Sequence, residues 1–227
     1  MALILNIDTS TEFASIALAK DGELLNRTEN RQQKDHASWI QEAIQKLIKD
    51  SGLTLKELSA IAVTNGPGSY TGLRVGLATA KGLCYGLNIP LITIGTLYVM
   101  ALSANKALNG LNLPATVLLC PMIDARRREV FTSIYNDQLN EIISPTAMIL
   151  DPSSFERELD NHQILFFGTG SLKWKELCKN ANARFADVSW DSSSMILPSY
   201  RSFREKKFAD ISYSEPAYLK EFYIHHQ

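Results

Sequence analysis

Gly66-Pro67-Gly68-Ser69-Tyr70-Thr71-Gly72-Leu73-Arg74 decides how the rest of the chain is read. Glycine at this density lets a backbone come close to another group or turn through positive φ. The apolar run before it, residues 59–64, has the length of a buried strand. The run after it, 71–87, reads as a helix, so the loop ends at a helix N-terminus, a natural anion site. No Gly-Lys-Ser or Gly-Lys-Thr follows, so this is not a Walker phosphate loop. The plainer alternative is a strained loop that only launches a helix. Pro90 then restarts the chain into a strand at 91–94. Strand, helix and strand in this order imply a parallel stretch of sheet with a crossover helix.

Upstream, residues 3–8 form a short apolar run ending on Asp8, the pattern of a buried strand with an acid at its C-terminal edge. A second strand at 13–19 meets Asp21-Gly22, a hairpin turn signal, and 23–28 returns. A helix is expected over 36–50, capped by Asp35, with Trp39, Ile40, Ala43, Ile44, Leu47 and Ile48 at helical spacing and Gly52 as its stop. Downstream, a third helix covers 97–108, and Asn109-Gly110 with Pro114 marks a boundary. The second half opens with strands at 116–124 and 130–135. A helix at 152–159, a strand at 164–167, the Gly168-Thr169-Gly170 turn and a helix between 193 and 207, bent or delayed by Pro198, complete it.

The halves repeat one plan. Asp8 leads through Thr9-Ser10-Thr11 into a strand holding Ser15-Ile16, and Asp124 leads through an arginine turn into one holding Ser133-Ile134. The repeat is weak by identity and clear by pattern. It predicts a duplicated α/β fold in two lobes, 1–108 and 109–227, with the C-terminal segment packing back on the first.

The 71–87 helix is apolar on more than one face, through Leu73, Val75, Leu77, Ala78, Leu83 and Leu87. Gly72, Gly76, Ala80 and Cys84 make a small-residue line at spacing four. Such a helix must be covered on two sides. Either a third internal layer or a protein partner does this. The partner reading names Trp39, Ala43 and Leu47 on one helix and Leu73, Gly76, Leu77, Ala80, Lys81 and Cys84 on the next.

The chain has 227 residues, 45% hydrophobic and 21% charged, with 23 basic against 24 acidic side chains and a net charge of −1. That is a folded protein without the basic bias of a dedicated nucleic-acid binder. Cys84, Cys120 and Cys178 form no CxxC pair and read as reduced structural thiols of a cytoplasmic protein. No apolar run is long enough to span a membrane. The four histidines, His36, His162, His225 and His226, form no HxxxH or HExxH pair, so no helical metal site is expected. No GxSxG nucleophile elbow occurs. Asp8, Thr9 and Ser10 at a strand turn, with Gly168 and Gly170, are candidate phosphate-side residues. Ordinary strand-end hydrogen bonding is the alternative. Arg126-Arg127-Arg128 is a basic turn, read either as solvated surface or as a phosphate contact.

Together, ILNIDTST at 4–11, GPGSYTGLRVG at 66–76 with AKGL at 80–83, IDARRREVF at 123–131, FFGTGS at 166–171 and EPAYL at 215–219 resemble the TsaB (YeaZ) family of tRNA threonylcarbamoyladenosine synthesis. The likeness runs over nearly the whole chain in matching order, and the 66–74 segment is its most specific part. Lys220 stands where the family pattern carries arginine. The resemblance implies an actin/hexokinase-like (ASKHA) fold. It also implies a non-catalytic activating subunit, partnered by the catalytic TsaD and the ATPase TsaE through the two N-lobe helices. The chain would be a homodimer when alone and reach tRNA indirectly through the complex. TsaD carries an HxxxH metal motif where this chain has Thr96-Leu97-Tyr98-Val99-Met100, so no metal or catalytic residue is expected here. ATP or ADP is left to the partner interface. The competing reading is an independent ASKHA ATPase or kinase using Asp8 and the Gly168 loop. A peptidase would need a nucleophile–base pair or metal motif that is not visible.

Overall fold

The computed structural model describes residues 1–31, 36–110, 113 and 116–219. The Asp35 cap, Pro114, Lys220, His225 and His226 lie outside the described residues. Two compact units emerge. Met1–Val99 with Trp190–Pro216 forms the first, and Met100–Ser189 belongs to the second. The division falls earlier than the expected 108/109 boundary.

The first unit is built on β1 (Leu3–Asp8), β2 (Ala14–Lys20), β3 (Glu23–Asn30), β4 (Ala60–Thr64) and β5 (Leu91–Ile94), in the order β3-β2-β1-β4-β5. The first three strands are antiparallel, and β4 and β5 run parallel to β1. Asp21 and Gly22 take positive φ at the hairpin turn, as the Asp-Gly pair demands. Period-two alternation splits the sheet's residues. Leu3, Leu5, Ile7, Ile61 and Val63 enter one core with α1 (His36–Asp50) and α2 (Tyr70–Leu87). Ile4, Ala60, Ala62 and Ile92 enter another with Val99 of α3 (Thr96–Ala107) and Met195.

Gly52 stops α1 at φ +68°, donating its N–H to the Lys49 carbonyl. Asn88 ends α2 in the left-handed conformation, with its N–H on the Cys84 and Tyr85 carbonyls. A 3₁₀ turn at Ser192–Met195 runs straight into the later helix of this unit, Ile196–Arg204. Pro198 falls in that helix's first turn, where no intrahelical donor is lost, so it neither bends nor delays the helix. The Ser199 hydroxyl donates to Asn6 Oδ1 (2.7 Å), and Ser192 N–H donates to the Ser15 hydroxyl (2.8 Å). Both bonds are buried and fix the returning segment on the sheet.

The second unit repeats the plan. Its strands are β6 (Leu118–Asp124), β7 (Glu129–Tyr135), β8 (Glu141–Ile149), β9 (Ile164–Phe167) and β10 (Ala183–Phe185), ordered β10-β9-β6-β7-β8. Read from β8, that is the order and sense of the first sheet: two antiparallel pairings, then two parallel ones. The expected helix at 152–159 shrinks to α4 (Glu156–Leu159). The Asp151 carboxylate accepts from Ser153 N–H and hydroxyl and holds the preceding residues in a turn. A further helix, α5 (Ser171–Leu177), brings Trp174 edge-on to Phe155 and Phe166 in the core. The Ile196–Arg204 helix is α6. Among the described residues no helix is long and apolar enough to cross a membrane.

Candidate functional site

The loop at 66–72 and the turn at 8–10 are brought together in the first unit. Asp8 is 4% exposed, and its Oδ1 accepts from Ser10 N–H (3.0 Å), Ser10 hydroxyl (2.7 Å) and Thr64 hydroxyl (2.9 Å). The Thr9 hydroxyl donates to the Gly72 carbonyl (2.8 Å), and Ser69 N–H donates to the Ser10 carbonyl (2.7 Å). The glycines are there for this approach. A Cβ on Gly68 would overlap the Ser10 carbonyl, one on Gly72 the Thr9 carbonyl, and one on Gly76 the Thr9 hydroxyl. The three polar residues of the turn are therefore engaged with their own chain. This arrangement locks α2 onto β1 and occupies Oδ1 of Asp8.

Gly168 and Gly170 belong to the second unit. Gly168 takes φ +91°, and Gly170 N–H donates to the Met122 carbonyl (3.0 Å). Added Cβ atoms would crowd Met122 and Met100 at Gly168, and Val130 and Ile123 at Gly170. The Thr169 hydroxyl accepts from Asp124 N–H (3.0 Å). This turn seats its backbone tightly against the end of β6. The helix that follows it, α5, is only seven residues long.

The expected partner face of α2 needs correcting. Gly72, Leu73, Gly76, Leu77, Ala80 and Cys84 are all buried against the chain's own sheet. Ala43 and Leu47 of α1 are buried in the same core, and Trp39 packs half-buried at its margin. Lys81 Nζ donates to the carbonyls of Ser214 (3.1 Å) and Ser212 (3.4 Å), tying down the returning segment. The opposite side of α2 was missed. Ala78, Gly82 and Gly86 form a second small-residue line, exposed, with nothing within 4 Å of a Cβ placed on either glycine. Tyr85 stands beside it, 84% exposed. The signal was present as the same spacing of four. The sequence does not say which of the two lines meets the sheet.

Thr96 opens α3, buried, with its hydroxyl unpartnered among the described residues; Met100 is buried too. Among the described residues no three His, Cys, Asp or Glu side chains converge as metal ligands.

The cysteines are free thiols. Burial pushes Cys84 up to about 11, partly offset by a backbone hydrogen bond from Ile61. Burial pushes Cys120 up to about 12, opposed by a hydrogen bond with Thr132 and reinforced by the charge of Glu158. Both stay protonated at pH 8, and the thiolate is the nucleophile. A disulfide reagent added to the folded chain at pH 8 is therefore expected to modify Cys178 alone, and all three thiols after denaturation. Rapid native reaction at Cys84 or Cys120 would contradict the packing described.

Comparison with known proteins agrees with this architecture. A family model described as tRNA N6-adenosine threonylcarbamoyltransferase (TsaD) matches residues 23–214. The chain is 33% identical over 224 residues to the tRNA threonylcarbamoyladenosine biosynthesis protein TsaB of Escherichia coli K12, across 96% of this chain and 94% of that one. Its identity to the protein of the same name from Bacillus subtilis 168 is 30%, across 96% and 93%. The solved structure of YeaZ from Pseudomonas aeruginosa matches with a TM-score of 0.77 at 23% identity, covering 96% of this chain and all of that one. The fold, with its repeated five-stranded plan, is the duplicated actin/hexokinase-like α/β fold. On identity of this extent over whole chains, the protein belongs to the TsaB family.

Proposed function

We propose that the chain is a non-catalytic, activating subunit of the complex that transfers a threonylcarbamoyl group to N6 of the adenosine beside the anticodon of tRNA. The observation that carries this reading is whole-length similarity to two proteins named for threonylcarbamoyladenosine biosynthesis. Its partners are then a TsaD-type catalytic subunit and a TsaE-type ATPase, in the cytoplasm. ATP or ADP is bound at the partner interface rather than by this chain alone. The docking face we assign is the outward line of α2, Ala78, Gly82 and Gly86 with Tyr85, because small residues allow close helix approach. Without the partner, a second copy covers the same face.

The competing reading is an independent kinase or ATPase that uses Asp8. Three donors of the chain itself occupy its Oδ1, which leaves that oxygen little capacity to hold a metal or a water near phosphate. Reconstitution tests the proposal. Purified chain, TsaD-type and TsaE-type subunits, threonylcarbamoyl-adenylate or its precursors, and unmodified tRNA are expected to yield threonylcarbamoyladenosine by nucleoside mass spectrometry. Omitting this chain is expected to abolish the product. ATP turnover by the chain alone, abolished by Asp8→Ala, would favour the kinase reading instead.

A further inference from the structure

We propose that the hairpin tip at residues 126–128 grips the phosphate backbone of tRNA directly. This deepens the functional reading above and rests on it for the identity of the RNA. Arg126, Arg127 and Arg128 are consecutive, exposed, and sit between β6 and β7 at the end of the second sheet. The turn is closed by two backbone bonds, from Ala125 N–H to the Glu129 carbonyl (3.1 Å) and from Glu129 N–H to the Arg126 carbonyl (3.0 Å). Arg126 and Arg127 have φ of +70° and +48°, the left-handed region that glycine and asparagine occupy with less strain. Turn formation alone therefore does not call for arginine at these two positions, which directs attention to what the side chains do.

The charges around the tip point the same way. Asp124, at the base of the turn, is already satisfied. Its Oδ1 accepts from Arg126 N–H (2.6 Å) and from Lys173 Nζ (2.7 Å), and Lys173 also donates to the Glu129 carbonyl (3.3 Å). Arg126, Arg127 and Arg128 are exposed, and the ion pair beside the tip joins Lys173 to Asp124 instead. A concentrated positive spot thus stands on a chain whose net charge is −1. Guanidinium forks match phosphate oxygens in pairs, and such contacts supply affinity without reading sequence. That is the contact a modifying complex needs on the body of tRNAs that differ in sequence. The surface fits RNA backbone better than an acidic protein segment because the three donors form one compact tip rather than a groove with apolar walls.

The test uses the full chain in complex with its TsaD-type partner, and a tRNA transcript as the probe. Arg126→Asn, Arg127→Asn and Arg128→Gln are combined, because asparagine tolerates the left-handed conformation and the variant should fold. Thermal melting and co-elution with the partner are expected to be unchanged. Affinity for the transcript at low salt should fall roughly tenfold or more, and the slope of log K against log salt should become shallower by about two to three, as lost phosphate contacts require. Unchanged affinity and slope would overturn the proposal. A variant that keeps tRNA binding but leaves the partner would also overturn it, in favour of a protein contact. The functional reading fails separately, if cells lacking the chain keep normal threonylcarbamoyladenosine in their tRNA. The tip assignment is read from binding and slope alone.

Discussion

Gly76→Leu is expected to damage the fold itself, with a drop in melting temperature large enough to deplete the folded protein at growth temperature. The α2 backbone reaches the 8–10 turn only because position 76 has no side chain. A Cβ there overlaps the Thr9 hydroxyl and stands 3.5 Å from Val63 Cγ2. The hydroxyl cannot simply rotate away, since it donates to the Gly72 carbonyl and is fully buried. Overpacking a formed core costs about 1–3 kcal/mol and occasionally more; a leucine set against both Thr9 and β4 belongs at or above the top of that range. For a chain of this length, each kcal/mol shifts the melting temperature by about 2–4 °C. A smaller probe locates the clash. Gly76→Ala should be destabilising, and adding Thr9→Ala should recover part of the loss, although Thr9→Ala alone also destabilises by removing a buried hydrogen bond between the turn and α2. Coupling of about 0.5–3 kcal/mol is the usual signature of residues in contact. If Gly76→Leu melts like the parent, the line of small residues at 72, 76, 80 and 84 does not face the sheet.

That expectation reverses what the sequence suggested, and the reason is physical. Local signals fixed the elements well. The Asp21-Gly22 turn, the Gly52 stop and the run at 91–94 are decided by backbone preference and hydrophobic period, which neighbours in sequence supply. The duplicated plan was legible too, because Asp8 and Asp124 mark equivalent strand ends. The orientation of α2 was not. Its two small-residue lines have the same spacing, and the choice between them is made by Thr9, more than sixty residues away, whose hydroxyl meets Gly72. Long-range packing of this kind leaves no periodic trace.

The surroundings of Asp8 are set at long range as well. Nothing local shows that Thr64 donates to its carboxylate. β8 went unread because Pro145 interrupts its pattern. Proline survives in an edge strand, where one side of the ladder is unpaired, and β8 is the edge of its sheet. α5 and β10 are too short, at seven and three residues, to impose a period.

Gly82→Leu, by contrast, is expected to leave the fold intact and remove the partner. A Cβ at Gly82 meets nothing within 4 Å, so the chain's own structure has room for the side chain. Replacing glycine inside a helix by leucine should even stabilise the isolated protein by roughly 0.5–1 kcal/mol, because glycine gives up more backbone freedom on folding. The proposed interface has the opposite response. Ala78, Gly82 and Gly86 let a second helix approach closely, and a leucine at the middle of that line holds it away. Centrally placed anchors at interfaces contribute about 2 kcal/mol or more, so affinity for the TsaD-type subunit should fall by roughly thirtyfold or more. Tyr85→Ala provides an independent check. Its ring is 84% exposed in the single chain, and exposed tyrosines at the centre of a docking face are frequent energetic anchors. It should weaken the complex without moving the melting temperature. Size-exclusion chromatography with the partner reads the complex, sedimentation of the chain alone reads self-association, and circular dichroism reads the fold. Loss of both associations with an unchanged or higher melting temperature places the partner on the outer line. A folded Gly82→Leu chain that still binds its partner with parental affinity would move the interface elsewhere.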